Sequence, residues 1–337
     1  MANQQYIRDL FESFKKQNIL IIGDVMIDAY LWGKVDRISP EAPVPVVSLK
    51  KRENRLGGAA NVALNIQNMG ANPILCSVIG ADEKGDSFLN LMQQLQLNPS
   101  GMITSPSRIT TTKFRIIGNN MQMLRVDEET EKELQEEETR ELFQRISQLT
   151  EDIAVGAIVF EDYDKGVITP WLIDQVVALG KSKKIPVVVD PKKKNFMNYK
   201  GVTLFKPNLK ELKEGLKLDN ELTDTTSIMQ AVQQLQNLLQ VDIAMATLSD
   251  KGISYSSRTN SNGYETGNIP AHVRNISDVS GAGDTVISII ALCMAAGAPV
   301  KTMAQLSNLA GGLVCEYVGV VPVDRKRLLE EALKTFG

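Results

Sequence analysis

At 337 residues, 43% apolar and 23% charged, the chain is long enough for a large core, and its net charge of −3 excludes a dominant nucleic-acid footprint. Its three cysteines, Cys76, Cys293 and Cys315, lie far apart in apolar runs, which excludes a CxxC zinc site and fits reduced thiols in the cytoplasm. The one histidine, His272, excludes HExxH and paired-histidine metal sites and argues against a Ser-His-Asp triad, so proton transfer falls to a carboxylate and His272 to a loop or pocket wall.

The N-terminus, MANQQYIRDLFESFKKQ, is polar and amphipathic, unlike a signal peptide. ILIIGD (19–24) opens a series of short β-branched runs that continues with AIVFED (157–162), IPVVVD (185–190), VTLFKPN (202–208) and DIAMATLS (242–249). Amphipathic stretches such as 169–180 and 224–240 lie between most of them, and this alternation predicts a parallel sheet with helices on both faces. Each run ends in polar residues: Asp24, Glu161 with Asp162, Asp190, Asn208, and Thr247 with Ser249. Ligands of open α/β sheets bind outside the carboxyl ends of the strands. The five tips therefore predict a polar crevice, although strand ends are solvated in any protein.

LWGKVDRISPEAPVPVVSLKKREN (31–54) breaks this rhythm with prolines and short alternating strands. ITTTKFRIIGNNMQMLRVDEE (109–129) reads as a hairpin turning at Gly118-Asn119-Asn120. Segments 31–54 and 109–127 together predict a small β-sheet inserted into a single domain spanning 1–337, a lid over the crevice. The acidic run after Asp127 predicts a solvated helix start. RLGGAANVALNIQNMG (55–70) sets Gly57 and Gly58 before a helix that Gly70 caps. The glycine pair is either a tight turn or backbone that approaches a ligand, with Asn61 placed to bond hydroxyls there. Gly80 to Gly85 has P-loop spacing but is followed by Asp86, and GAGDTV lacks a third glycine, so neither a P-loop nor a dinucleotide fingerprint is present.

EDYDKG (161–166) and DPKKKN (190–195) bring lysines to the crevice edge. FKPNLKEL (205–212) offers Asn208 and Glu211 three apart, as a capping box or as oxygens suited to Mg²⁺ beside phosphates. TLSDKG (247–252), with Thr247, Ser249 and Gly252, is a loop that turns or cradles a nucleotide. DVSGAGDTVISIIALCMAAG (278–297) opens an apolar helix, too short to span a bilayer, on Gly281, Ala282 and Gly283. Amides there would point at an anion. Asp284 beside them is either a favourable first-turn residue or a base that deprotonates a hydroxyl attacking that anion. Phosphoryl transfer to an alcohol needs that pairing. Asn308 and its helix are a candidate wall for a base pocket.

GGAANVA, NLKE and DVSGAGDT, in this order over nearly the whole chain, resemble the ribokinase-like (phosphofructokinase-B) sugar kinases. The resemblance implies a three-layer α/β/α fold with a mostly parallel central sheet and a small inserted β-sheet lid. It implies ATP as co-substrate and Mg²⁺, and leaves a monovalent cation open. It also implies Asp284 as the base, Gly281, Ala282 and Gly283 as the anion hole, and Asn208 and Glu211 placing Mg²⁺–ATP, with Glu211 reaching the metal through water. GDVMIDAYLWGKVDRISPEAPVPVV (23–47) is similar to the branch of the family that phosphorylates the anomeric hydroxyl of D-glycero-D-manno-heptose 7-phosphate, giving heptose 1,7-bisphosphate, a lipopolysaccharide-core precursor. Carried over, Asp24, Asp28, Gly57, Gly58 and Asn61 hold sugar hydroxyls, and Lys113, Arg115 and Lys165 hold the sugar phosphate. EDYDKG departs from a stretch often written SDYxKG, which leaves Glu161 without an assigned role. Some relatives carry a fused nucleotidyltransferase domain; the end at Gly337 gives the expectation that adenylylation belongs to another protein.

Two other functions fit the same pattern. One is a kinase with another sugar, sugar phosphate or nucleoside as acceptor; Tyr30, Trp32 and Tyr163 are the aromatic residues a nucleoside would use. The other is a non-catalytic sugar-binding regulator, against which the intact Asp284 argues. Apolar alternation in Val44, Val46, Leu49, Phe114 and Ile116 exceeds what a thin flap buries, which predicts a homodimer joined lid to lid. No nucleic-acid or membrane partner is expected.

Overall fold

The β-branched runs form strands and the amphipathic stretches form helices throughout residues 2–219, 222–259, 263–272 and 274–336, which the computed structural model describes. Met1 and Gly337 of the predicted single-domain span lie outside the described residues. In chain order the elements are α1 (Ala2–Phe14), β1 (Asn18–Gly23), β2 (Val25–Ile38), β3 (Pro45–Gly58), α2 (Ala59–Asn68), β4 (Asn72–Gly80), α3 (Glu83–Gln94), β5 (Gly101–Ser105), β6 (Thr112–Gly118), β7 (Met121–Glu128), α4 (Glu136–Asp152), β8 (Ala157–Glu161), α5 (Pro170–Lys183), β9 (Val187–Asp190), β10 (Leu204–Phe205), α6 (Leu209–Leu216), α7 (Thr225–Leu239), β11 (Ile243–Thr247), β12 (Ile253–Arg258), β13 (Tyr264–Ile269), α8 (Ala282–Ala295), α9 (Val300–Val314) and α10 (Arg325–Phe336), with a 3₁₀ turn at Ser249–Lys251.

The large sheet runs β13-β12-β11-β10-β9-β8-β1-β4-β5. It is parallel from β11 to β5, and β12 and β13 add an antiparallel edge. Its strands read as unbroken apolar runs because both faces are covered. Ile19 and Ile21 of β1 enter the core under α1, α2, α3, α8, α9 and α10, while Leu20 and Ile22 enter the one under α4, α5, α6 and α7. This is the predicted three-layer α/β/α arrangement. Among the described residues, no helix is long and apolar enough to cross a membrane.

Strand order reverses at β1: β4 and β5 lie on one side, β8 to β11 on the other. A crevice opens where an order reverses, outside the carboxyl ends of the strands. Asp24, just past β1, and the end of β8 from Glu161 onward stand there.

The second sheet has the order β3-β2-β6-β7 and is the predicted small inserted sheet, with different limits. It starts at Val25 and ends its first hairpin at Gly58, longer at both ends than 31–54, because Asp24 alone separates β1 from β2. The β6–β7 hairpin turns at Asn119 and Asn120, with φ of 51° and 64°, as the Asn-rich turn predicts. The acidic run after Asp127 is not a helix start. No helix occupies 129–135, and α4 begins at Glu136 behind a Gln135–Glu138 capping box. Glu129 and Glu131 instead pair with lysines of the crevice.

Candidate active site

The crevice is organised by a buried carboxylate at the end of β1. Asp24 accepts three amides of the loop after β8: Tyr163 N at 2.9 Å and Lys165 N at 3.1 Å on Oδ2, and Val167 N at 3.0 Å on Oδ1. Burial pushes its carboxyl up, against the pull of these amides. The residue is 1% exposed, and these three bonds fix the loop that presents Tyr163 and Lys165.

The glycine pair also serves the chain first. Gly58 has φ +62°, and a Cβ there would lie 2.4 Å from the Asp24 carbonyl oxygen; one on Gly57 would lie 2.5 Å from Asp28 Oδ2. Any larger side chain would collide with Asp24 or Asp28, so the chain's own packing already requires glycine at both positions.

Asp284 lies in the first turn of α8 and is buried. Its Oδ1 accepts the Tyr163 hydroxyl at 2.7 Å and its Oδ2 accepts Asn61 Nδ2 at 2.6 Å. Asn61, expected to bond hydroxyls, is thus seen orienting this carboxylate. Burial pushes the Asp284 carboxyl up; Asn61, Tyr163 and the Lys192 charge pull it down, and the Asp190 charge pushes it up. Gly281 caps the helix with φ +77°. The three-amide expectation needs one change. Ala282 N donates to Val279 O at 3.3 Å, whereas the Gly281 and Gly283 amides have no partner among the described residues. Those two open donors sit at the positive end of the helix, beside Asp284.

A cavity of about 730 Å³ extends from Gly281, Gly283 and Asp284. Asn208, Thr247, Ser249, Gly252 and Asn308 line it, as the sequence predicts. Asn308 Nδ2 is held by Pro270 O at 2.8 Å. His272 is a wall residue, and its imidazole is pushed down by burial and by Arg274. Four buried side-chain polar atoms lack a partner among the described residues. Three of them, Glu161 Oε2, His272 Nε2 and Arg274 Nε, belong to residues lining this cavity, which marks it as a place for a polar molecule.

Asn208 and Glu211 form the capping box: Glu211 N donates to Asn208 Oδ1 and Asn208 N to Glu211 Oε2, each at 2.9 Å. Glu211 also takes Lys192 Nζ at 2.9 Å, and it is not among the residues lining the cavity. Lys192 lines it, however. Burial pulls that lysine down, but Asp190 and Glu211 outweigh burial and raise it, so it stays charged. Among the described residues no three His, Cys, Asp or Glu side chains are grouped to hold a metal. The oxygens of Asn208 and Glu211 at the head of α6 are of the type that suits an ion held mostly through its own waters, as Mg²⁺ is.

Asp24, Asp28, Gly57, Gly58, Asn61, Lys113, Arg115 and Lys165 do not line this cavity. Of these, Asn61 touches Asp284, while Asp28, Lys113 and Arg115 stand on strands β2 and β6 of the second sheet. Arg115 donates to Asp28 Oδ1 at 2.5 Å and lies 5.3 Å from the centre of the Tyr30 ring. Lys113 and Lys165 both pair with Glu129.

Four features of the site escape sequence reasoning. Tyr163 reads there only as an aromatic, and its bond to a residue 121 positions away has no local signature. Lys206 pairs with Asp190 at 2.8 Å, both buried; a lone charge inside VTLFKPN is the available signal. Glu161, with no assigned role, is buried beside Asp190 and Asp284, and burial and then those charges push its carboxyl well up. Gly311 and Gly312 lie inside α9 where it lines the cavity. A glycine pair inside a helix costs about 1–2 kcal/mol against alanine, so its presence there is a signal in itself.

A family model described as pfkB family carbohydrate kinase matches residues 16–326. The "Bifunctional protein HldE" of Desulfatibacillum aliphaticivorans is 38% identical over 315 residues, 94% of this chain and 63% of that protein. The protein of the same description from Methylobacillus flagellatus is 38% identical over 313 residues, 93% of this chain and 62% of its own. The chain thus spans less than two thirds of these relatives. Among solved structures, phosphofructokinase-2 from Escherichia coli in complex with potassium matches with a TM-score of 0.76 at 17% identity, over 95% of this chain and 99% of that one. Arabidopsis thaliana ribokinase complexed with ribose and ATP matches with a TM-score of 0.68 at 17% identity, over 95% and 99%. At such identities the likeness speaks for the fold alone.

Proposed function

Because the chain belongs to the pfkB family of carbohydrate kinases, and is an ATP-dependent sugar kinase, we propose that its acceptor is the anomeric hydroxyl of D-glycero-D-manno-heptose 7-phosphate. The observation that supports the chemistry is Asp284, aimed by Tyr163 and Asn61 and set beside two open glycine amides at the end of the large cavity. The acceptor is supported by RISPEAPVPV and by the likeness to the two proteins described above.

In this reading Asp284 takes the proton of the acceptor hydroxyl. The freed oxygen bonds to the γ-phosphorus as the bond to the ADP oxygen breaks. The Gly281 and Gly283 amides receive the charge that builds on the equatorial oxygens. Lys192 and Lys206 set positive charge along the phosphate path. Mg²⁺ supplies charge neutralisation when bound, and Asn208 and Glu211 are the residues we assign to its waters. Asp28 meets the sugar, and Lys113, Arg115 and Lys165 its phosphate. The buried thiols suit a cytoplasmic enzyme: burial pushes Cys76 up to about 12, far from a reactive thiolate.

A panel of acceptors followed by ADP release tests the substrate. Heptose 7-phosphate should give the highest kcat/KM, and unphosphorylated heptose, fructose 6-phosphate, ribose and adenosine should each fall well below it. A nucleoside or free sugar ahead of it would refute the assignment.

The lid also carries the homodimer we propose. All eight residues of β7 are exposed, including Met121 at 66%, Leu124 at 54% and Val126 at 46%. Val44 and Leu49 are exposed as well, whereas Phe114 is half-buried and already packs on the core. The apolar surface thus lies farther toward an edge strand than the sequence reading places it. Sedimentation should give the mass of two chains, and Leu124→Glu the mass of one; a single-chain mass for the unmodified protein counts against the proposal.

A further inference from the structure

One polar cluster beside the site holds more negative charge than it needs. Glu129 takes Lys113 Nζ on Oε2 at 3.1 Å and Lys165 Nζ on Oε1 at 2.8 Å. Lys113 also meets Asp127 at 3.2 Å, and Lys165 meets Glu131 at 3.2 Å. The side chains of Lys113, Lys165 and Glu129 are only 15%, 12% and 23% exposed. Burial disfavours the ionised form of Glu129, yet the two ammoniums outweigh it and hold the carboxyl below its ordinary range.

We infer that Glu129 stands in the place of the acceptor's phosphate group, and that acceptor binding exchanges one anion for the other. This rests on the reading of Lys113 and Lys165 as the phosphate-holding pair. Two ammoniums on the two oxygens of one anion is the arrangement a phosphate monoester would make with the same pair. Such a group brings roughly −1.5 to −2 of charge at neutral pH. Two lysines that already face three carboxylates cannot hold it as well, so one carboxylate leaves. Asp127 is also held by Arg125 at 3.0 Å, and Glu131 reaches Lys165 alone from an exposed position. Glu129 is the one that touches both lysines.

The exchange is a side-chain rotation, because the adjoining backbone is tied. Arg108 donates to Lys132 O at 2.8 Å and to Lys165 O at 2.5 Å, and Leu134 N donates to Gly166 O at 3.0 Å. A consequence is selection: a sugar without phosphate leaves the lysines with Glu129, while a dianion with three oxygens displaces it.

Glu129→Gln tests this. It should lower KM for heptose 7-phosphate by roughly three- to ten-fold, the worth of about one partly buried ion pair, with kcat little changed. Inorganic phosphate, titrated against both chains and followed by melting temperature or NMR, reads the same exchange without turnover and should bind E129Q more tightly. Glu131→Gln, which frees Lys165 alone, should change either value little. Phosphate binding that is unchanged or weaker in E129Q, or an equal gain from E131Q, overturns the inference. If Lys113→Met with Lys165→Met leaves KM for the sugar phosphate unaltered, the inference fails and the kinase assignment stands. If E129Q gains phosphate affinity while the unmodified chain does not phosphorylate heptose 7-phosphate, the inference stands and the acceptor assignment fails.

Discussion

Asp284→Asn should leave a folded chain whose turnover is lower by about 10²–10⁴-fold, the range a positioned general base contributes. The substitution keeps volume and most contacts. The carbonyl oxygen of the introduced amide still accepts the Tyr163 hydroxyl. Its nitrogen would face the Asn61 amide nitrogen, and a flip of the Asn61 amide restores a donor–acceptor pair, since that side chain otherwise meets only Asn65, at 3.4 Å. The buried carboxylate next to Asp190 also disappears, so the melting temperature should hold or rise. Tyr163→Phe is the graded companion. The tyrosine hydroxyl favours the ionised form of Asp284, so its loss raises that carboxyl further. The base works deprotonated; activity is lost as pH falls through its value, and the acid limb of kcat/KM should therefore move to higher pH in Y163F. Near-normal turnover in D284N, with normal folding, would remove Asp284 as the base.

Much of this site is legible in the chain, though with one bias. Each strand run announces itself by β-branched residues, and each polar tip stands at the end of its run. What the tips do is not legible, because their partners lie far along the chain. Asp24 looks like a residue facing a ligand, but its three amide partners come from 139 to 143 positions later. Asn61 looks like a hydroxyl binder, but it meets Asp284 across 223 positions. The bias is toward reading every polar tip as a ligand contact, when a crevice at a sheet edge first needs buried polar groups to fix its own loops. Asn208 and Glu211 can be read both ways because the capping box is a local pattern, whereas the Lys192 bond to Glu211 is not. The lid's position is plain from its prolines and its Asn-Asn turn. Its limits are not, because an apolar run resumes at Val25 directly after Asp24, and a chain pattern does not show that Asp24 moves the strand to another sheet.

Lys206→Met should destabilise the chain by about 3–5 kcal/mol, the usual cost of stranding one member of a buried ion pair. The pair is Lys206 Nζ with Asp190 Oδ2 at 2.8 Å, with side chains 3% and 6% exposed. At roughly 2.1 cal/mol/K per residue, 337 residues give an unfolding entropy near 0.7 kcal/mol/K, so the melting temperature should fall by about 4–7 °C. Lost packing alone would give a smaller change, because methionine fills much of the lysine's apolar stem. The double variant separates the two causes. Adding Asp190→Asn removes the stranded charge and should return most of the loss at pH 7. If K206M melts with the unmodified chain at neutral pH, or if D190N does not rescue it, the buried pair does not hold the floor of the phosphate path, and the charge balance around Glu161 must come from Lys192 alone.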